Sequence, residues 1–341
     1  MDFLLFLLRR LGWSLLVLVG LSVVIFTIAR VIPGSPARMA LGPRASEEQV
    51  AQLEAELGLD RPLVEQYWLF LSGLARGELG RSLLTERAVE ADIAETFPAT
   101  LELVLVTVLL AFAIGVPLGV LAAGSKDRWP DNLVRGIAIV SAVLPAFFVA
   151  LCLQVLAGYV LQVLPTTGRL PPGMDPPPVI TGLLLADGLL AGRPEVTWEA
   201  ARHLLLPSLA LGLATMGQVA RITRASMIDV SRQDYMEAAR AFGVPRRVRL
   251  FKYQLRPAFV PPLTIAGLEF ASLIGNAFVV EMIFALDGMA AYGVRAIVQK
   301  DLNAIMGVVM VSGLFFVLVN LLVDVLVGVV DPRVRIRGRR A

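Results

Sequence analysis

Two carboxylates, Glu269 and Glu281, lie in an otherwise apolar stretch near the C-terminal end of the sequence. A carboxylate inside a membrane span is costly, and it is usually functional or paired. One hypothesis is that Glu269 faces a cavity and favours a cationic group there, because burial disfavours an ionised carboxylate unless a cation is near. The alternative is a protonated or arginine-paired carboxylate that only braces helix packing.

Residues that would support catalysis are scarce in this chain. Cys152 and His203 are the only residues of their types, so a disulfide within the chain and a metal site built from cysteine or histidine clusters are excluded. None of the three lysines follows a glycine, so a Walker A loop is absent, and neither H-E-x-x-H nor G-x-S-x-G occurs. The sequence therefore shows no catalytic residue, cofactor site or metal site.

A polar, basic segment from Asp234 to Pro257 lies between long apolar stretches. Its first part has helical periodicity, with one apolar face and one polar face. The apolar face consists of Tyr235, Ala238, Ala239 and Phe242, and the polar face of Asp234, Glu237 and Arg240. We expect Ser231 to be the N-cap, Gly243 to end the helix in a left-handed conformation, and Pro245 to delay its resumption.

A helix of about ten residues is marginal alone in water, so its small apolar face must dock on something. One interpretation is that it fits a groove on a partner protein, as amphipathic helices do. The other is that it lies on the membrane surface or packs beneath its own helical bundle.

The elements that position these residues are long apolar helices. The chain has 341 residues, of which 57% are hydrophobic and 17% charged, and its mean hydropathy is +0.73. Apolar runs of 18 or more residues recur, which is typical of a polytopic membrane protein. We expect an all-α integral membrane fold with six spans, near residues 11–32, 98–124, 133–161, 203–225, 258–285 and 304–330.

Three prolines lie in two of these spans. Pro98 suits the first turn of the second span, whereas Pro117 and Pro145 lie inside spans and should kink them. Between the first two spans, residues 37–97 carry eleven acidic residues. Ser46 and Gln49 resemble a capping box that opens a short helix there, and a second amphipathic segment follows. Residues 33–97 are therefore predicted to form a small helical subdomain outside the membrane.

The distribution of lysine and arginine predicts the topology. If the N-terminus is cytoplasmic, 19 of the 31 basic residues lie in cytoplasmic segments. The predicted organisation has four parts: a cytoplasmic end with the first span (1–32), an external subdomain (33–97), a transmembrane core (98–330) containing a cytoplasmic loop (226–257), and a basic cytoplasmic tail (331–341). We expect the tail to act as a topology anchor near anionic lipid.

Several motifs resemble those of ABC-importer permeases. The run Glu237-Ala238-Ala239, three residues, Gly243, nine residues and Tyr253-Gln254-Leu255-Arg256-Pro257 resembles the EAA loop of that family. Tyr253 and Arg256 depart from its usual ending, as they do in dipeptide and oligopeptide permeases of the DppB/OppB kind. Further similar stretches are 30–37, 97–103, 115–123, 206–211, 279–284, 319–324 and 331–335, so the resemblance covers nearly the whole chain.

The resemblance implies a permease subunit of a binding-protein-dependent peptide importer in a bacterial or archaeal cytoplasmic (inner) membrane. Its EAA-type loop would couple to cytoplasmic ATPases through Tyr235, Glu237, Ala238, Ala239, Arg240, Phe242 and Gly243. Expected partners are a homologous second permease subunit, two ATPases that use ATP and Mg, and an external solute-binding protein. Candidate residues of the translocation pathway or a gate are Glu269, Asn276, Glu281 and Pro145, with Glu281 interpreted as structural or gating because it matches the family.

The sequence does not decide which substrate the protein transports. The same family imports nickel chelates, glutathione, opines and oligosaccharides, and Leu286-Asp287-Gly288 departs from a Trp-Pro-Gly common there. A more distant alternative is a membrane-embedded enzyme or scaffold, which a lipid- or peptide-cleaving activity of the isolated chain would reveal.

Overall fold

A computed structural model describes residues 2–31, 36–41, 45–56 and 58–330. The predicted basic tail at 331–341 lies outside the described residues. The helices are, in chain order, α1 (Asp2–Val31), α2 (Pro36–Leu41), α3 (Glu47–Glu56), α4 (Leu63–Arg76), α5 (Val89–Gly124), α6 (Trp129–Val143), α7 (Ala146–Leu153, continued by a π-helical segment Gln154–Val160), α8 (Leu184–Leu190), α9 (Pro194–Ser231), α10 (Asp234–Ala241), α11 (Arg246–Val248, continued by a π-helical segment Arg249–Leu255), α12 (Arg256–Ala258), α13 (Val260–Phe284), α14 (Met289–Gln299) and α15 (Leu302–Val330).

Four of these helices are long and apolar enough to cross a membrane, namely stretches of α1, α5, α9 and α15. Two bent pairs bring the number to six if each pair is one span: α6 with α7 and its π-helical segment, bent by 106°, and the two parts of α13, bent by 55°. The all-α membrane fold is therefore confirmed. Four of the six predicted spans are single helices, and the third and the fifth correspond to the two bent pairs. The break between α6 and α7 falls at Pro145, where a kink was predicted.

Two boundary predictions were wrong. Pro98 lies inside α5, which begins at Val89, and the fourth span begins at Pro194 rather than near residue 203. Both helices extend past their apolar stretches into polar sequence. In the extension of α5 the carboxylate of Glu90 accepts a hydrogen bond from the backbone N–H of Leu79 at 3.1 Å. Hydropathy detects the membrane-crossing part of a helix but not a polar extension whose side chains find partners.

The first of two compact units comprises residues 1–99 and 287–317. Its apolar core joins Ile25, Phe26 and Ala29 of α1 to Leu302, Met306 and Met310 of α15, and α4 packs Tyr67, Phe70 and Leu74 against it. The predicted capping box is confirmed, because Gln49 N–H donates to Ser46 Oγ at 3.2 Å and Ser46 N–H donates to Gln49 Oε1 at 3.0 Å. It opens α3 as expected.

Two buried aspartates accept hydrogen bonds that connect helices and loops of this unit. Asp301 accepts hydrogen bonds from Ser82 Oγ at 2.6 Å and from the Ala304 N–H at 3.1 Å, so it caps α15 and holds the loop before α5. Asp92 accepts a hydrogen bond from the Tyr292 hydroxyl at 3.2 Å. Burial, together with the nearby aspartates, raises the pKa of Tyr292 to about 12, so this hydroxyl stays a hydrogen-bond donor at neutral pH.

The second unit comprises residues 100–286 and 318–341, of which the structure describes those up to 330. Its helices approach closely at two glycines of α5, one turn apart. A Cβ atom at Gly115 would lie 2.8 Å from the carbonyl oxygen of Met216, and one at Gly119 would lie 2.6 Å from that of Ala220. No side chain fits at these distances, so α5 and α9 pack backbone to backbone here.

Candidate functional site

The short helix α10 carries most of the residues predicted to couple the chain to a partner. Its N-cap is Gln233, whose backbone is extended, and not Ser231 as predicted. Ser231 is the last residue of α9, and its hydroxyl donates to the carbonyl of Ile228 at 2.7 Å. Because α9 continues helically up to this serine, its side chain bonds backward along that helix and cannot cap the next one.

The other end of α10 follows the prediction. Gly243 has a φ of 69°, the left-handed conformation that glycine adopts at little cost. Its N–H donates to Arg240 O at 3.0 Å, and the Val244 N–H donates to Ala239 O at 3.0 Å, which is a Schellman motif. Pro245 has extended backbone, and helical structure resumes at Arg246.

The two faces of α10 differ from the predicted assignment. Met236 and Ala239 are the buried residues, with 2% and 8% of their surface exposed. Tyr235 and Phe242 of the predicted apolar face are exposed instead, by 44% and 85%. Ala238, Glu237 and Arg240 are also exposed. Sequence analysis missed Met236, although its spacing of three residues from Ala239 was a usable signal.

The loop that contains α10 is tied to its own unit by side chains absent from the predicted site. Gln254 is buried in the π-helical segment 249–255, and its Nε2 donates to the carbonyl of Met227 in α9 at 2.7 Å. Arg246 donates to the carbonyl of Gly124, the last residue of α5, at 3.2 Å. Hydrogen bonds to α5 and α9 therefore hold the loop that contains α10.

A buried ion pair between Asp131 and Arg224 joins α6 to α9, the helix that accepts the hydrogen bond from Gln254. Asp131, near the start of α6, is fully buried, and both of its carboxylate oxygens accept hydrogen bonds from the guanidinium of Arg224 in α9. The backbone N–H of Asp127 also donates to Asp131, at 2.9 Å. A bidentate pair fixes the relative orientation of two elements as well as their distance. Sequence analysis did not single out either residue as part of a site.

Three candidate pathway residues lie at exposed or half-buried positions of the second unit. Glu269 is half-buried in α13, and Asn276, seven residues on, is exposed. The 55° bend of α13 falls between these two residues, so Glu269 lies in its first part and Asn276 in its second. In the part of the chain that the structure describes, the Glu269 carboxylate forms no hydrogen bond or ion pair. Pro145 is exposed at the break between α6 and α7.

Glu281 is in a different environment. Only 1% of its surface is exposed, and it accepts a hydrogen bond from Thr100 Oγ1 at 2.5 Å. Twelve residues and the bend of α13 separate it from Glu269. Just beyond it, the carbonyl of Phe284 accepts from the Gly168 N–H at 2.8 Å. The structure thus places Glu281 in a buried, hydrogen-bonded position, whereas Glu269 is half-buried and Asn276 is exposed.

Four to six apolar helices that could span a membrane define a polytopic membrane protein, and hydrogen bonds hold the loop that contains α10 against α5 and α9. Residues 115–336 match the family described as binding-protein-dependent transport system inner membrane component. Residues 3–104 match the N-terminal region of membrane components of such systems. The chain therefore belongs to the inner-membrane permease components of binding-protein-dependent transport systems.

Similar proteins extend over nearly the whole chain. The probable D,D-dipeptide transport system permease protein DdpB of Escherichia coli K12 is 43% identical over 328 residues, which cover 96% of each chain. The dipeptide transport system permease protein DppB of Alkalihalophilus pseudofirmus is 39% identical over 327 residues, covering 96% of this chain and 98% of that protein. The glutathione transport system permease protein GsiC of Escherichia coli O6:H1 is 35% identical over 314 residues, covering 92% of this chain and 93% of that protein.

Proposed function

We propose that this permease subunit forms half of the translocation pathway of an ATP-driven peptide importer and couples to a cytoplasmic ATPase through α10. Its partners would be a homologous second permease subunit, two ATPase subunits that bind ATP and Mg, and an external solute-binding protein. The observation that carries the proposal is the division of α10 into a face that its own chain buries and a face with exposed aromatic side chains.

The exposed face has the composition of a docking site. Tyr235 and Phe242 expose large side chains on a helix that Met236 and Ala239 already anchor. Aromatic residues in the centre of an interface contribute most of its binding energy. Phe251, in the neighbouring π-helical segment, is also 59% exposed. These aromatics suit a groove on a partner protein better than open water.

Hydrogen bonds suggest how movement of α10 would reach the membrane helices. Gln254 connects the loop to α9, and the Asp131–Arg224 pair connects α9 to α6. Closure of the ATPases on ATP would displace α10, and these two connections would carry the displacement to α9 and α6. The spans would then alternate between an outward-open and an inward-open cavity.

The coupling proposal is tested by replacing one exposed aromatic residue. Phe242→Ala should weaken binding of the ATPase subunits by about thirtyfold, the effect of losing about 2 kcal/mol at an interface hot spot, and should lower uptake in reconstituted liposomes. Trp198→Ala is the matched control, because Trp198 is 66% exposed on α9 outside the loop. Equal ATPase binding by wild type and Phe242→Ala would contradict the coupling role of α10.

Glu269 is proposed to face the pathway and to favour a cationic group such as a peptide amino terminus or a basic side chain. Its half-buried carboxylate, without a partner among the described residues, supports this role. Glu269→Gln should reduce uptake of cationic peptides more than uptake of neutral ones, whereas Glu54→Gln should affect neither. An equal loss for both peptide classes would favour a packing role.

The names of the relatives support peptides as the substrate class, and D,D-dipeptide and dipeptide permeases are the two most similar proteins cited above. Similarity to a glutathione permease supports glutathione as the second candidate. Competition by L,L-dipeptides, D,D-dipeptides and glutathione in one uptake assay with the complete transporter would rank them. Strong competition by glutathione alone would contradict the dipeptide assignment and support glutathione as the substrate.

We propose that both termini and the loop containing α10 face the cytoplasm. Single cysteines at Glu54→Cys and Arg247→Cys, in a Cys152→Ser background, should react with an impermeant thiol reagent from opposite sides. The background change is required because Cys152 is exposed. Position 54 should react in intact cells and position 247 only after lysis. Labelling of both from the same side would overturn the six-span topology.

A further inference from the structure

A cavity of about 350 Å³ lies inside the first unit, between the end of α1, the side of α4 and the beginning of α15. That volume is within the range of small-molecule sites. The apolar part of its lining includes Phe70 and Met306, and the polar part includes Arg30, Gln66, Glu78 and Arg81. None of these residues belongs to the coupling loop or to the proposed pathway.

Two buried polar atoms of this lining lack hydrogen-bond partners within the described residues. One is the Nε of Arg30, a donor whose guanidinium lies over the ring of Phe26 at 5.3 Å. The other is the Oε1 of Gln66, an acceptor on a side chain that is only 7% exposed. The amide nitrogen of Gln66 is already used, since it donates to the carbonyls of Leu59 and Arg61 at 3.0 and 2.7 Å. A buried donor and a buried acceptor left unpaired are costly, which indicates a ligand that supplies both partners.

Two residues of the cavity lining lie at the ends of candidate membrane spans. Arg30 is the last residue of one candidate span, and Leu302 is the first residue of another. On α4, Val64 and Trp68 are 80% and 69% exposed, so this helix presents an apolar side away from the core that its other side covers. Tryptophan is enriched at the membrane–water interface. The cavity lies beside the ends of two candidate spans, which is where lipid headgroups are found.

The charges in the lining specify the headgroup. Arg30 and Arg81 favour a phosphate, for which guanidinium groups are well suited. The Gln66 carbonyl and the Glu78 carboxylate accept hydrogen bonds and favour an ammonium group that still carries N–H donors. We propose that this cavity binds the headgroup of an aminophospholipid of the phosphatidylethanolamine class, with the phosphate at Arg30 and the ammonium near Gln66.

The proposal is tested on the full-length protein by native mass spectrometry after exchange into defined lipids. Wild type should retain one phosphatidylethanolamine with at least a tenfold preference over phosphatidylcholine, whose trimethylated nitrogen has no N–H to donate. It should also prefer phosphatidylethanolamine to phosphatidylglycerol, which lacks the ammonium. The absence of either preference in wild type would overturn the proposal without reference to any variant.

Substitutions then locate the site. Arg30→Gln should reduce retention of phosphatidylethanolamine about tenfold and Arg30→Lys by less, while Arg76→Gln, an exposed arginine of α4 outside the cavity, should leave it unchanged. Undiminished retention of phosphatidylethanolamine by Arg30→Gln would overturn the assignment of the phosphate to Arg30. If that variant does not fold, Arg30→Lys and the wild-type lipid comparison test the same assignment. Millimolar inorganic phosphate or phosphoethanolamine should not displace the lipid; displacement would show that the site takes a soluble anion instead.

Discussion

Two loops of the second unit, residues 162–193 and 232–259, differ in where their polar and apolar groups find partners. The first loop is closed by its own unit: the buried Glu102 accepts hydrogen bonds from Arg169 and from the Leu185 N–H, both at 2.7 Å. The second loop buries Met236 and Gln254 but exposes 85% of Phe242. The first loop also has exposed apolar side chains, such as Val179 at 84%, and a buried Arg169 Nε without a partner among the described residues, but its buried carboxylate is bonded within the unit. We expect the exposed aromatic side chains of the second loop to be covered by a partner.

Asp187 is a buried carboxylate of the first loop whose partners lie within the same loop. Burial opposes its ionisation, but hydrogen bonds from the Thr181 hydroxyl and from the N–H groups of Ile180, Thr181 and Gly182 outweigh burial and lower the pKa of this carboxyl. The second loop has no comparable buried carboxylate among its described residues. We expect substitutions in the first loop to affect stability, and substitutions in the second to affect partner binding.

The largest effect is expected from Glu102→Leu. It leaves the guanidinium of Arg169 without its carboxylate, and breaking a buried pair in this way costs about 3 kcal/mol. Hydrogen exchange in residues 165–190 should accelerate strongly. Glu195→Leu is the matched control, because Glu195 pairs with Arg193 on the surface, with 58% of its side chain exposed, where a pair contributes little. Unchanged exchange in Glu102→Leu would contradict the closed-loop description.

Asp187→Asn should have the next largest effect, about 2 kcal/mol, since it weakens several hydrogen bonds to a charged acceptor. The wild-type interaction also has a pH dependence of defined sign. Because folding lowers the pKa of Asp187 below its ordinary value of 3.8, the stabilisation is complete above that pH and is lost as pH falls through the lower value of the folded protein. Protease cleavage near residues 180–192 should rise in strong acid for wild type, but at every pH for Asp187→Asn. Acid-insensitive cleavage of wild type would refute this account.

Gly243→Val should have a smaller effect on stability, about 1–2 kcal/mol, from forcing a β-branched residue into left-handed backbone. The consequence should be functional: uptake and ATPase stimulation fall, while the chain still inserts and residues 162–193 stay protected. Gly192→Val imposes similar strain in the first loop, where φ is 67°, and should leave coupling intact. Wild-type uptake by Gly243→Val would show that the end of α10 does not matter for coupling.

The smallest effect is expected from Glu237→Gln. This exposed carboxylate lies on α10 beside the proposed docking face, where a single surface charge contributes below about 1 kcal/mol and is screened by salt. Affinity for the ATPase subunits should change by about two- to fivefold at low ionic strength and hardly at all in high salt. A large, salt-independent loss would place Glu237 at the centre of the interface instead of its rim.

Much of the fold follows from patterns that act locally. Recurrent apolar runs predict the spans, the Ser46–Gln49 pair predicts the start of α3, and Gly243 predicts the end of α10. Capping and left-handed turns depend on a few neighbouring residues, so their signals are present in the sequence itself. The N-cap prediction at Ser231 failed because the competing event, continuation of α9, depends on contacts along a much longer helix.

The sequence by itself therefore determined the membrane class of the protein, the apolar stretches that can cross a membrane and the location of the exposed helix, since hydropathy and turn chemistry are local properties. Only the tertiary structure decided which face of α10 is free, that Glu281 pairs with Thr100, and that Asp131 meets Arg224 across 93 positions of the chain. Such pairings depend on how helices distant in sequence pack together, and no local pattern encodes the partner of a buried charge.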